Sequence, residues 1–71
     1  MQQDAQKALD RASESIANID RSRLNEQRAG DYDVVQGLIA SARQAMDEKD
    51  FLRAQKLANK ASVLASQLAV K

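Results

Sequence analysis

Between Asp31 and Val70 the apolar positions fall into two runs divided by a charged break, Asp47-Glu48-Lys49-Asp50. Tyr32, Val35, Leu38/Ile39, Ala42 and Ala45/Met46 recur at steps of three and four in the first run. Phe51, Ala54, Leu57/Ala58, Ala61, Leu64/Ala65 and Leu68 do the same in the second. That spacing gathers the apolar side chains into one stripe on each of two successive helices. A link this short makes them antiparallel neighbours. An earlier run, Ala5, Ala8/Leu9, Ala12, Ile16 and Ile19, has the same period. Its other face carries Lys7, Asp10, Arg11 and Glu14, so a first helix is expected there as well.

Two endings compete for this first helix. It can run on to Ala29, with Gly30 as a left-handed C-cap and Asp31 opening the next helix. It can instead stop near Ile19, with a break at residues 20–24, Asn25 as the next N-cap and Gly30 inside the second helix. Phase favours the break. Extending the Leu9, Ala12, Ile16, Ile19 stripe forward meets Arg23, Glu26 and Gln27, whereas running the Tyr32, Val35, Ile39 stripe backward meets Ala29 and Leu24. Leu24 and Ala29 then flank the cap as a hydrophobic staple. Asp50 is the expected cap of the third helix.

The pattern therefore predicts an all-α, antiparallel up-down-up three-helix bundle with helices over residues 3–19, 25–47 and 51–70. It forms a single domain over residues 1–71, standing alone or cut from a longer protein. The side chains expected in its core are Leu9, Ile16, Ile19, Tyr32, Val35, Leu38, Ile39, Leu57, Leu64 and Leu68. Val34, Leu52 and Val63 lie off the main stripes. They are expected to face the first helix as a second contact line; left exposed, they would be the candidates for a dimer or partner patch.

Composition narrows the picture. The 44% hydrophobic share is mostly alanine and leucine, aromatics are 3%, proline and cysteine are absent, and glycine occurs twice. Alanine and leucine are strong helix formers, while strands would call for more β-branched and aromatic residues. Zero cysteine excludes disulfides and thiolate chemistry. A net charge of +1 argues against strong general attraction to nucleic acid or anionic lipid. No apolar run approaches the roughly 18 residues of a membrane span, and Met1-Gln2-Gln3-Asp4 lacks the features of a signal peptide.

Lys49-Asp50-Phe51 followed by Ala54 and Ala61, with Ala42 on the preceding helix and Leu38 in place of a bulky aromatic, resembles a tetratricopeptide-type hairpin over Leu38 to Leu64. Ser41, Ala58 and the absence of a proline after the last helix depart from that pattern, and no second repeat is present. A stacked superhelix with a peptide-binding groove is therefore not implied. More broadly, the string Ile19 through Leu24-Asn25-Glu26-Gln27 to Tyr32-Asp33, then Phe51 to Leu68, is similar to short helical domains of uncharacterised bacterial envelope lipoproteins. That likeness implies a structural or interaction module in the cell envelope or periplasm.

Candidate chemistry is sparse. With no histidine or cysteine, carboxylates are the main acid-base groups. Asp47, Glu48 and Asp50 cluster at the second link, but a calcium loop needs about twelve residues and a glycine bend. Capping and solvation account for them. Asp31 and Asp33 diverge by about 200° on a helix and cannot converge as a catalytic pair. The serines have no histidine to activate them, and Gly30 and Gly37 form no phosphate loop. Neither an enzyme, a cofactor, a metal nor a small-molecule substrate is expected.

Arg53, Lys56 and Lys60 share one outer face of the third helix and are the candidate partner-binding residues, with Arg21, Arg23 and Arg28 near the opposite end. The expected role is a non-catalytic structural or protein-interaction module, presenting a rigid helix face or spacing parts of a longer envelope protein. Self-association is one alternative. A weakly basic nucleic-acid accessory domain is the other, though it lacks the interleaved aromatics that stack on bases.

Overall fold

Three helices follow one another in the computed structural model, which describes residues 2–69 of the chain and the side chains of residues 3–68. They are α1 (Gln2–Ala17), α2 (Glu26–Asp47) and α3 (Phe51–Ala69), with a single 3-10 turn at Arg21–Arg23 between the first two. The 22 residues of α2 should reach about 33 Å, close to the 36 Å long axis of the molecule. The bundle is thus one helix long.

Each boundary has a local cause. α1 stops at Ala17, two residues short of the expected Ile19. The Asn18 side-chain amide donates to the Glu14 carbonyl at 3.5 Å, and the Ile19 N–H donates to the Ile16 carbonyl at 3.1 Å, a tighter closure than the α-helical one. The Asp20 carboxylate then accepts from the Ser22 N–H at 3.0 Å and from its hydroxyl at 2.6 Å. This local turn holds the break in place. Asn25 caps α2, its side chain accepting from the Arg28 N–H at 2.8 Å, so Gly30 lies inside α2. Asp50 caps α3 by accepting from the Arg53 N–H at 3.3 Å. The last position expected in that helix, Val70, and Lys71 beyond it lie outside the described residues.

The α2–α3 link is a Schellman closure: the Asp50 N–H reaches the Ala45 carbonyl at 2.8 Å, and the Lys49 N–H reaches that of Met46 at 3.0 Å. Its left-handed position, normally glycine, is Lys49 at φ 61°.

Antiparallel order follows from which residues meet. Ala5 from the start of α1, Ala45 from the end of α2 and Ala54 from the start of α3 are buried together at one end. At the other end the Arg28 guanidinium, in the first turn of α2, donates to the Leu68 carbonyl at 2.9 Å and to that of Gln67 at 3.3 Å. These belong to the last turn of α3, whose carbonyls have no partner within the helix. The cation also suits the negative end of the helix dipole.

The interior is mostly alanine. Nine of the fourteen buried apolar residues among those described are Ala5, Ala8, Ala12, Ala42, Ala45, Ala54, Ala58, Ala61 and Ala65. Leu9, Ile16, Val35, Ile39 and Leu68 complete the buried set as expected. Ile19, Tyr32, Leu38, Leu57 and Leu64, also expected at the centre, are only partly buried and pack against it. On α3 the reason is steric. α3 packs extensively along both other helices, whereas α1 and α2 touch each other far less. A helix pressed between two neighbours needs its smallest side chains at the point of closest approach, and its leucines flank that line.

Side-chain size also grades along the bundle. Three alanines meet at the Ala5 end, and Ile16, Val35, Tyr32 and Leu68 fill the other.

Val34, Leu52 and Val63 do not face α1. They are 52%, 52% and 58% exposed. Leu52 and Val63 lie about 180° around α3 from the line of Ala54, Ala58, Ala61 and Ala65. That line already contacts both neighbours, so no further contact line is required of α3.

Two substitutions test this packing. Gly37 has an ordinary helical backbone and open space where a Cβ would sit. Gly37→Ala is expected to raise stability by about 1 kcal/mol. Ala61→Leu should lower it by roughly 1–3 kcal/mol through overpacking. Urea melts followed by circular dichroism read both, and a tolerated leucine at position 61 would contradict the close approach described.

Candidate interaction surface

Charge is unevenly shared among the helices. α3 contains Arg53, Lys56 and Lys60 and no acidic residue, while α1 and α2 carry charges of both signs. The fold brings the three basic residues onto the solvent side of α3, all exposed, together with Leu52 and Val63. Arg53 reaches Glu48 at 3.6 Å, an exposed ion pair of the kind that contributes little. Lys56 and Lys60 make no ion pair among the described residues. The surface is therefore cationic, with an exposed apolar side chain towards either end.

Helical spacing marked both the basic residues and the off-stripe Leu52 and Val63; that the apolar pair faces solvent rather than α1 needed the phase of the buried line. Leu52 stands two positions before Ala54, and Val63 two after Ala61, so each is about 200° from the buried line. Once alanine rather than leucine is taken as the centre of the stripe, both point outward.

Two other arginines tie elements of the fold together. Arg21 makes a two-pronged contact with Asp33, Nε to Oδ1 at 2.9 Å and Nη2 to Oδ2 at 2.7 Å. It fastens the 3-10 turn to α2. Arg23 lies 3.6 Å from Asp20, and Arg28 holds the end of α3. Arg21 and Arg28 are thus bonded to other elements of the fold, while Arg23 is exposed with only a loose contact inside its own turn.

A shallow groove of about 240 Å³ opens where α1 and α2 diverge, lined by Ser13, Ile16, Ala17, Tyr32, Gln36, Ile39 and Arg43. Its polar rim is internally bonded: the Gln36 amide donates to the Tyr32 hydroxyl at 3.2 Å, and the Arg43 guanidinium to Ser13 Oγ at 3.4 Å. The floor residues Ile16 and Ile39 are only 5% and 3% exposed. Little apolar area is left there for a ligand to cover.

At the second link Asp50 serves as a cap and Glu48 as the partner of Arg53. Among the described residues no three potential metal-ligating side chains converge, and no helix is long and apolar enough to cross a membrane. No family model, curated protein or solved structure matches the chain.

The fold shifts the titration of one pair. Hydrogen bonding to Arg21, aided by its charge, holds the Asp33 carboxyl below the usual carboxylate range, and the same contact raises Arg21. A carboxylate depressed in the folded state adds stability that is fully present above its unfolded pKa, about 3.9. That stability is lost as pH falls through the lower folded value. Asp33→Asn should therefore melt below the parent protein at pH 7 and approach it as pH falls towards 3. Thermal melts from pH 7 to pH 2.5 check this, and parallel curves for the two proteins would remove the pair's role.

Proposed function

We propose that the chain is a non-catalytic protein-interaction module whose outer α3 face receives an acidic partner surface. One observation carries this: Leu52 and Val63 stay exposed on the same face as Lys56 and Lys60, which make no ion pair among the described residues. Leu52 and Val63 stand towards either end of this face, about 16 Å apart, with Lys56 and Lys60 between them along the helix. The cations would steer an acidic partner, and the apolar pair would supply surface for burial. A non-catalytic role is supported by the sequence, which has no histidine or cysteine and leaves its serines without an activating base.

The envelope setting remains part of the proposal, on the likeness to helical domains of bacterial envelope lipoproteins. There the bundle would act as a rigid element presenting α3, or as a spacer. Self-association is a second reading, favoured by Val34, which leaves an apolar side chain exposed on α2 as well. A clean monomer in sedimentation at high micromolar concentration would set it aside. Nucleic-acid binding is less well supported because the basic residues have no interleaved aromatics to stack on bases.

The test is positional. With a photo-crosslinking amino acid at position 59, the chain should capture an acidic protein in its own cells. The same group at position 7 on α1 should capture none. Lys56→Glu with Lys60→Glu is expected to cut the position-59 adduct at least tenfold while the helical circular dichroism stays unchanged. Adducts of equal yield from both positions, or none from position 59, would overturn the proposal.

A further inference from the structure

Leu52, Lys56, Asn59 and Val63 follow one another along α3 at steps of four, three and four residues, and all four are exposed. Steps of this kind keep side chains in a single line along a helix and form the seam on which a second helix packs, knobs into holes. The line spans about 16 Å, three turns. It lies opposite the alanine line, so a helix laid there would not disturb the bundle. We propose that the occupant of this face is an α-helix of a partner protein, carrying apolar residues eleven positions apart with a carboxylate between them. The proposal rests on the interaction role argued above and names the kind of partner.

Charge complementarity selects that occupant. Lys56 sits inside the seam, where covering it without an opposite charge would leave a buried cation unpaired. A single acidic side chain on the partner meets it, and an amide or hydroxyl meets Asn59. Polar residues at isolated seam positions fix register at some cost in affinity. The edges of the seam differ too. Arg53 and Lys60 flank it on one side, and the uncharged Gln55 and Ser62 flank it on the other. The partner's remaining acids therefore belong along one edge, which sets its orientation.

A lipid surface fits less well, because Lys56 and Asn59 occupy the middle of the line that would have to enter it. A second copy paired through the same face fits less well again. A two-fold antiparallel pairing centred on the seam sets Leu52 against Val63 and Lys56 against Asn59 of the other copy, which covers the lysine without giving it a carboxylate.

The experiment uses the full 71-residue chain and three synthetic alanine-rich helical peptides, read by fluorescence anisotropy. The matched peptide carries Leu, Glu, Gln and Leu at four-three-four steps, with further glutamates along one edge. The second has the same composition, rearranged so that its leucines fall on opposite faces. The third replaces every glutamate with lysine. The matched peptide is expected to bind with a Kd on the order of 10–100 μM, near −6 kcal/mol, weakening as salt rises. The rearranged peptide should bind at least tenfold more weakly, and the lysine peptide not detectably. Lys56→Glu should reverse the preference towards the lysine peptide, an outcome that simple damage to the fold would not produce.

Equal binding of the matched and rearranged peptides would overturn the helical partner and leave an acid-binding face. Binding of neither would remove both. Association of the chain with itself that is abolished by Val63→Asp, without peptide binding, would replace the partner helix with a second copy.

Discussion

Everything in this molecule depends on how closely α3 can approach its two neighbours. Ala54, Ala58, Ala61 and Ala65 put only a methyl group between the axis of α3 and the helices beside it, and Ala5, Ala8, Ala12, Ala42 and Ala45 answer from the other side. The gain is tight contact over a long, thin body, 16 × 14 Å in cross-section at the Cα level. The cost is a small apolar area per buried residue, since the hydrophobic contribution scales with the area removed from water. The helix ends consequently matter more than they would in a leucine-rich bundle. Asn25, Asp50 and the Schellman closure at Lys49 satisfy backbone groups locally, and Arg28 satisfies two carbonyls across the fold. Exposed Gly30 and Gly37 work against this, because nothing inside the molecule requires a missing side chain at either position.

Much of the architecture was legible in the residue pattern. The break between the first two helices followed from phase: Arg23, Glu26 and Gln27 cannot continue a stripe that ends in Ile16 and Ile19. The caps at Asn25 and Asp50 were legible because their chemistry is local. Which residues would lie at the centre was harder to see. A stripe two residues wide, such as Leu57/Ala58 or Leu64/Ala65, does not disclose which member faces the neighbour. Tertiary spacing decides that, and here it favours the alanine. Once that choice is made, the outward placement of Leu52 and Val63 follows by rotation. Long-range contacts such as Arg21 to Asp33 and Arg28 to Leu68 had no signature in spacing along the chain, because each joins residues at least 12 positions apart.

The division of α3 into two opposite faces follows from the same constraint. Because its alanines meet both neighbours, the remaining arc is released from any duty in the core. It can carry lysines and exposed apolar side chains without weakening the interior, so binding and folding can be altered independently. Arg21 and Arg28 near the other end, by contrast, are bonded to other elements, and changing them would confound shape with recognition.

The uneven pairing of the helices has one more consequence. α1 is held almost wholly through α3, while α2 and α3 are joined by a capped turn at one end and by Arg28 at the other. Contacts of α1 are thus chiefly with one neighbour, whereas the α2–α3 hairpin is fastened at both of its ends. The surface that α1 covers is built largely from alanine methyl groups, so this helix is held by close fit over its length rather than by any one large side chain.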